Sequence, residues 1–163
     1  MYDLPIRLIV FDADLTLWDH PDVSSLKIPF RRIEQDLIID SCGTKFGLYR
    51  DIRALLQQLK KRKITVSLAT WNKPENVEEA LRRLEIDHFF DYVEAESHPD
   101  KHNLIRNILS RLSEDGVQLV PMEILYIDDR DIHLTDIRRA IGEIFFVQMW
   151  KDIEKPLDIL ALL

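Results

Sequence analysis

Residues 6–17, IRLIVFDADLTL, decide the fold. Apart from Arg7, the run from Ile6 to Phe11 is apolar and rich in β-branched residues, and it stops abruptly at Asp12. Such a run is typical of a short strand buried in a parallel sheet. In open parallel sheets, ligands bind beyond the carboxyl ends of the strands. Asp12 and Asp14 are therefore the first candidates for a functional site.

Strand-like and helix-like segments alternate along most of the remaining chain. Residues 49–60 have the i, i+3, i+4, i+7 spacing of an amphipathic helix, which is formed by Ile52, Leu55, Leu56 and Leu59. The alternation predicts a three-layer α/β/α, Rossmann-like fold, with a parallel sheet covered on both faces. The predicted strands are 6–11, 64–69, 89–95, 124–127 and 144–147, and the predicted helices are 49–60, 72–84, 103–112 and 132–141.

The exception is the segment from about 15 to 48, which has no helical period. Residues 31–39 and 45–49 fit strands, and residues 41–44, Ser-Cys-Gly-Thr, fit a turn. We therefore expect a small β-hairpin flap. The length of 163 residues suits a single domain, so we expect residues 1–163 to form one domain with this flap as an insert.

Composition restricts the classes of partner. The formal net charge of −7 argues against general binding to nucleic acid, which draws on clustered Lys and Arg. No apolar stretch approaches the roughly 20 residues that span a bilayer, and the amino terminus lacks the basic region of a signal peptide. The single cysteine, Cys42, suits a reducing compartment. These features predict a cytoplasmic protein that does not bind membranes.

Further polar residues follow the other predicted strands. Thr70 ends the second strand, Lys101 follows the third, and Asp128 and Asp129 follow the fourth. Carboxylates gathered at one sheet edge would repel each other unless a cation lay among them. Oxygen ligands without a Cys or His pattern point to Mg²⁺.

Residues 11–17, FDADLTL, match the first motif of the haloacid dehalogenase-like superfamily, Asp-x-Asp-x-Thr/Val-Leu/Val. Thr70, Lys101 and Asp128-Asp129 follow in the order that this superfamily has. The chain as a whole resembles its phosphatases. The extension Thr16-Leu17-Trp18, the short flap and the length look most like the magnesium-dependent phosphatase subgroup.

The resemblance implies a role for each matched residue. Asp12 would attack phosphorus and form an aspartyl-phosphate, while Asp14 would act as general acid and base. Thr70 and the backbone amides that follow it, at Trp71 and Asn72, would bind the phosphoryl oxygens together with Lys101. Asn72 is also a candidate N-cap for the next helix. The implied Mg²⁺ ligands are Asp12, the backbone carbonyl of Asp14, Asp129 and Asp128.

Some alternatives remain open from the sequence. Lys73 competes with Lys101 as the phosphate-binding lysine. Trp18 and Trp71 fit either an apolar wall of the site or core packing. His133 stands near the place where many relatives have Asn, and His98 and His102 flank Lys101 without an assigned role.

The sequence also limits access to the site. It leaves no room for the cap domain that selects substrates in many relatives, so an open site is expected. Its substrate would be a small phosphomonoester, such as a sugar phosphate, or a phosphorylated residue of a macromolecule, including phosphotyrosine. A phosphoacceptor domain of the receiver type is an alternative, but receivers have their acidic pair on the first strand and the phosphorylated Asp in mid-chain, with Thr and Lys after it. In this chain Thr70 and Lys101 precede the acidic pair Asp128-Asp129. A phosphotransferase on the same scaffold is a further alternative.

Overall fold

A computed structural model describes residues 5–163 of the chain. It contains eight strands and four α-helices. The strands are β1 (Leu8–Phe11), β2 (Arg31–Glu34), β3 (Leu37–Ile39), β4 (Lys45–Gly47), β5 (Thr65–Trp71), β6 (Tyr92–Glu96), β7 (Ile124–Asp128) and β8 (Phe145–Gln148). The helices are α1 (Ile52–Lys61), α2 (Pro74–Arg83), α3 (Lys101–Glu114) and α4 (Leu134–Ile141). No helix in 5–163 is long and apolar enough to cross a membrane.

Five strands form one parallel sheet in the order β6-β5-β1-β7-β8. The central strand β1 has all four residues buried, which explains its uninterrupted apolar sequence. Leu8 and Val10 face one core cluster, and Ile9 and Phe11 face the other. The sheet therefore has an apolar core on each face, as the sequence predicts.

The helices cover these two cores. The apolar stripes of α1 and α2 pack on the side of Ile9 and Phe11, and the stripe of α3 packs with Ile137 of α4 on the side of Leu8 and Val10. This arrangement confirms the three-layer α/β/α fold. Between β5 and β6 the chain contains only α2 and a short 3-10 turn, Asp87–Phe89, so no further domain is inserted there.

The flap is a three-stranded antiparallel sheet in the order β2-β3-β4, and the prediction of a two-stranded hairpin was wrong in this respect. The segment 31–39 is divided by a turn at Gln35 and Asp36. Arg32 of β2 donates to the carbonyl of Gln35, and Arg53 of α1 donates from outside the flap to that carbonyl and to the carboxylate of Asp36. Such a contact between distant residues leaves no local sequence signal.

The flap packs onto the rest of the protein through aromatic residues. The ring of Phe46 lies 5.9 Å from that of Trp18 and 5.6 Å from that of Phe30, both with an edge-to-face geometry. All three side chains are buried. Glu79 of α2 adds a polar contact, because its carboxylate accepts the backbone N–H of Phe30 at 3.1 Å. These contacts hold the flap against α2 and against the segment that follows β1.

Two helix starts differ from the predicted ones in ways that matter for the site. Helix α3 begins at Lys101, two residues before the predicted start, so this lysine lies in the first turn. The N-cap of α2 is Lys73, not Asn72, and it makes no side-chain capping bond. The prediction of Asn72 as N-cap was wrong because its side chain is engaged elsewhere, as described below.

Candidate active site

The predicted residues meet at the carboxyl-terminal edge of the parallel sheet. Asp12 follows β1, Thr70 lies near the end of β5 and Asp128 ends β7, while the register pairs Phe11 of β1 with Leu68 and Ile127. A pocket of about 470 Å³ opens at this edge. Its lining includes all the predicted site residues except Asp128, namely Asp12, Asp14, Thr70, Trp71, Asn72, Lys101 and Asp129.

Asp12 and Lys101 form a buried ion pair at the base of this pocket. The Nζ atom of Lys101 lies 2.6 Å from Oδ1 of Asp12 and donates to the carbonyl of Ala69 at 2.9 Å. It is also 3.6 Å from Oδ2 of Asp128. Burial would lower the pKa of Lys101, but the two carboxylates outweigh it and hold that pKa above its usual value. Lys101 is therefore a fixed positive charge beside Asp12.

The carboxylates of Asp12, Asp128 and Asp129 form the candidate metal site. One oxygen atom from each lies within 4.8 Å of the others. A small adjustment of these side chains brings them within reach of one cation with oxygen ligands at about 2.1 Å. Three carboxylates with no nearby thiolate also suit a hard cation such as Mg²⁺ better than a soft one. The donor set therefore fits the predicted ion.

The pKa values of this cluster follow from burial and like charge. Burial is the main reason that the pKa of Asp12 rises to about 8, and Lys101 opposes this rise while Asp128 and Asp129 add to it. Burial and the neighbouring Asp128 raise the pKa of Asp129 to about 6. For Asp128 burial is outweighed by Lys101 and by hydrogen bonds from Tyr126 and the Arg130 amide, so its pKa is lowered. A bound cation would favour the ionised form of all three.

Asp14 lines the same pocket and is held there by three donors. Its Oδ1 accepts the indole N–H of Trp18 at 2.8 Å and the backbone N–H of Val23 at 3.2 Å. Its Oδ2 accepts the side-chain amide of Asn72 at 2.8 Å. Burial raises the pKa of Asp14, and these hydrogen bonds limit the rise. Its carboxylate does not belong to the metal cluster, so only its backbone carbonyl remains a predicted metal ligand.

Asn72 connects the acid–base candidate to the predicted phosphate site. Its amide donates to Oγ1 of Thr70 at 2.8 Å as well as to Asp14. Its carbonyl oxygen accepts the hydroxyl of Ser24 at 2.5 Å, and the hydroxyl of Ser24 accepts the backbone N–H of Lys73 at 2.8 Å. The orientation of this buried amide thus depends on a residue of the flap segment. This network is the reason that Asn72 does not cap α2.

The structure separates residues that the sequence left ambiguous. Lys101, not Lys73, contacts Asp12, and Trp71 is half exposed in the pocket lining. Trp18 is fully buried, and its ring packs in the core while its N–H reaches Asp14. His133 lines the pocket, and burial lowers its pKa. His98 contacts Glu96, and neither His98 nor His102 is in the pocket lining.

Sequence reasoning gave no specific role to several residues that complete the site. The hydroxyl of Thr16 donates to Asp12 at 3.3 Å or Asp129 at 3.4 Å, and it accepts the N–H of Asp129 at 3.1 Å. The hydroxyl of Tyr126 donates to Asp128. Thr16 lies in the quoted motif, but nothing in the sequence indicated that its hydroxyl bridges two strands. Tyr126 belongs to the apolar run of β7, and that run predicts only that its ring is buried.

This arrangement can support nucleophilic chemistry on an anionic substrate. Asp12 presents a carboxylate next to the Lys101 ammonium group, and Asp14 presents a second carboxyl group, of raised pKa, in the same pocket. An acid of raised pKa is suited to protonate a leaving group at neutral pH. The positive charge and the hydroxyl of Thr70 can stabilise an oxyanion.

Comparison with known proteins agrees with this chemistry. Residues 4–146 match the family model described as acid phosphatase. A HAD-like hydrolase superfamily protein of Schizosaccharomyces pombe is 31% identical over 101 residues, which is 55% of this chain and 59% of that protein. The chain therefore matches less than two thirds of the length of this relative.

Solved structures share the fold at low sequence identity. A HAD-superfamily hydrolase of subfamily IA from Geobacter sulfurreducens has a TM-score of 0.69 at 16% identity, with 97% of this chain and 100% of that chain covered. The phosphatase domain of a Bacteroides fragilis protein, solved with Mg, has a TM-score of 0.63 at 15% identity, with 96% of this chain and 39% of that chain covered. With most of its length matched to the family model, the chain belongs to the acid phosphatase family of the haloacid dehalogenase-like superfamily.

Proposed function

We propose that this protein is a magnesium-dependent phosphatase that hydrolyses phosphomonoesters through a phosphorylated Asp12. The observation that carries the proposal is the placement of one carboxylate between two kinds of partner. Oδ1 of Asp12 lies 2.6 Å from Lys101 Nζ. The carboxylate of Asp12 also forms a cluster with the carboxylates of Asp128 and Asp129. A nucleophile held in this way needs a cation to stay ionised at neutral pH, which explains the metal requirement.

In the first step an oxygen of Asp12 attacks phosphorus, and the bond from phosphorus to the leaving oxygen breaks. Asp14 donates its proton to that oxygen, so the product leaves as a neutral alcohol. Lys101 and the hydroxyl of Thr70 offset the charge on the phosphoryl oxygens. Asp12, Asp128 and Asp129 would hold the Mg²⁺, which when bound would supply positive charge that offsets the carboxylates and the phosphoryl group.

In the second step the acyl phosphate on Asp12 is hydrolysed. Asp14, now ionised, takes a proton from a water molecule that attacks phosphorus, and the bond between phosphorus and the Asp12 oxygen breaks. Phosphate leaves, and both aspartates return to their starting states. The position of Asp14 in the same pocket, with its carboxylate outside the metal cluster, supports this double role.

The pocket supports a small or well-exposed phosphoester as substrate. Its volume of about 470 Å³ is within the usual range of small-molecule sites. Trp71 is 49% exposed in the lining and offers an apolar face to a sugar or aryl group. We therefore propose sugar phosphates and phosphotyrosine-type groups as the first substrates to examine. The Mg found in the solved phosphatase domain from Bacteroides fragilis supports the choice of metal.

The proposal is tested by phosphate release from an aryl phosphomonoester with Mg²⁺ and with EDTA. We expect turnover that requires Mg²⁺, that is abolished in Asp12→Asn and that is strongly reduced in Asp14→Asn. Stable phosphorylation of Asp12 by a small phosphodonor without turnover would instead indicate a receiver-like phosphoacceptor. Transfer to an added alcohol in preference to water would indicate a phosphotransferase.

A further inference from the structure

Two residues with left-handed backbone conformations are joined by a hydrogen bond at the edge of the active site. Leu15 has a φ of 56° and Trp150 has a φ of 71°. The indole N–H of Trp150 donates to the carbonyl of Leu15 at 2.7 Å, although 135 positions separate them in the sequence. Non-glycine residues rarely adopt this conformation, and they persist in it only where the surroundings impose it.

Leu15 belongs to the turn that carries the acid–base candidate. It lies between Asp14 and Thr16 and also lines the pocket. The amide of Leu15 donates to the carbonyl of Trp18 at 2.9 Å, and its carbonyl accepts the bond from Trp150. The peptide units on both sides of Leu15 are therefore held, and any movement of this turn moves Asp14.

Trp150 is itself held in place by the segment that follows β8. Its backbone N–H donates to the carbonyl of Ile153 at 2.7 Å, and its ring lies 4.3 Å from that of Tyr49. The two residues before it contact the opposite side of the site. Met149 donates its backbone N–H to the carbonyl of Asp128 at 2.9 Å, and the Gln148 side chain donates to the carbonyl of Asp129 at 3.1 Å.

We propose that Trp150 is a positioning residue that holds the turn of Asp14 and Leu15 at a fixed place relative to the loop of Asp128 and Asp129. The segment 148–150 bonds to both loops, so it fixes the separation between the leaving-group side of the pocket and the metal side. It lies beyond the region shared with the family. This inference rests on the proposed function, because it assigns the consequence to protonation of the leaving group by Asp14.

The test compares two substrates in the variant Trp150→Phe, which keeps a ring against Tyr49 and removes the N–H donor. A nitrophenolate leaves without protonation, whereas an alkoxide needs the proton from Asp14. We expect kcat/KM for 4-nitrophenyl phosphate to stay within about threefold of wild type, and kcat/KM for a primary alkyl phosphate to fall about 10-fold to 100-fold. Asp14→Asn should show the same preference in kcat/KM in a stronger form, while its kcat falls for both substrates because Asp14 also activates the water of the second step.

The ratio of the two kcat/KM values does not depend on the fraction of folded enzyme, so partial unfolding of the variant cannot imitate the result. The matched control is Lys151→Gln, an exposed neighbour in the same turn, which should leave both values unchanged. An equal loss for both substrates, or no loss, would overturn the inference. Wild-type enzyme that hydrolyses neither substrate would instead contradict the proposed function itself.

Discussion

The Nζ atom of Lys101 lies 2.6 Å from Oδ1 of Asp12 and 3.6 Å from Oδ2 of Asp128. One buried lysine therefore contacts carboxylates at the ends of two different strands, β1 and β7. Its third contact, with the carbonyl of Ala69 on β5, ties it to the central part of the sheet. The Lys101 side chain is only 3% exposed, so its ammonium group is largely shielded from water. Lys101 is therefore positioned to offset the negative charge of Asp12 directly.

Replacing Lys101 by Met should remove the charge that keeps Asp12 reactive. We expect kcat/KM to fall about 100-fold to 1,000-fold, the size of effect seen when one preorganised electrostatic partner is lost. The comparison variant is Lys73→Met, which changes the rival lysine. Steady-state hydrolysis of an aryl phosphate measures both variants. A larger loss in Lys73→Met than in Lys101→Met would contradict the assignment.

The metal-free protein should lose stability as the pH rises through the neutral range. Burial raises the folded-state pKa of Asp12 to about 8 and that of Asp129 to about 6, above their usual value of 3.8. A carboxyl group of raised pKa contributes stability that is fully present below pH 3.8 and is lost as the pH rises through its folded-state pKa. Thermal unfolding in EDTA between pH 5 and about pH 8 measures the effect.

Asp12→Asn is the matched control, because its amide does not titrate. Between pH 5 and about pH 8 in EDTA, the unfolding temperature of wild type should fall more than that of this variant. The unfolding temperature of the variant minus that of wild type should therefore increase with pH. Added Mg²⁺ should stabilise wild type most at the higher pH, where the carboxylates are ionised. A difference that stays constant with pH would show that Asp12 ionises at its ordinary pKa in the folded protein.

Ser24 should influence catalysis although it lies outside the reacting groups. Its hydroxyl donates to the carbonyl oxygen of Asn72, which leaves the amide of Asn72 directed at Asp14. Loss of one such bond costs about 1 kcal/mol, so we expect Ser24→Ala to lower kcat/KM about fivefold. Ser25→Ala is the control, because the hydroxyl of Ser25 donates only to the carbonyl of Asp22 within the flap segment. Equal activities of the two variants would show that the flap does not set the orientation of Asn72.

Asp40 should stabilise the flap in a manner that depends on pH. Its carboxylate accepts the backbone N–H groups of Lys27 at 2.9 Å, Cys42 at 2.9 Å and Thr44 at 2.8 Å. The bond from Lys27 is the main reason that the pKa of Asp40 lies below its usual value. We expect Asp40→Ala to lower the free energy of unfolding by about 1–3 kcal/mol near pH 7, as measured with urea.

A group of lowered pKa contributes stability that is present above the unfolded value of 3.8 and is lost as the pH falls through the folded value. The destabilisation in Asp40→Ala should therefore shrink below about pH 4. Asp158→Asn, which changes an exposed carboxylate without a side-chain hydrogen bond among residues 5–163, is the control and should have little effect. An unchanged destabilisation at low pH would contradict the role of the ionised carboxylate.

The fold and much of the site were predictable because their signals are local. The apolar run that ends at Asp12 indicates a buried strand, and the spacing of Leu55, Leu56 and Leu59 indicates an amphipathic helix. Because parallel strands end at one edge, the order of the polar residues after them also predicts which of them meet. The resemblance to a known superfamily then suggested their roles, and the structure brings Asp12, Lys101, Asp128 and Asp129 together.

Contacts between distant segments were not predictable. The turn at Gln35 and Asp36 has no Gly, Pro or Asn, and Arg53 of the distant α1 contacts both of its residues. The side chain of Asn72 was assigned to a helix cap because Asn commonly has that role, but buried Asp14 and Thr70 provide competing partners. The bond from Trp150 to Leu15 joins segments that are 135 positions apart and leaves no pattern in either.

Trapping of the covalent intermediate tests the central claim most directly. Wild-type enzyme is mixed with an aryl phosphate and Mg²⁺, quenched in acid and treated with borohydride, which reduces an aspartyl-phosphate to homoserine. Mass spectrometry of the peptide that contains residues 12 and 14 then locates the change. We predict homoserine at position 12, and none when Mg²⁺ or substrate is omitted. Turnover without any reducible group at position 12, or with the change at position 14, would contradict the assignment of Asp12 as the nucleophile.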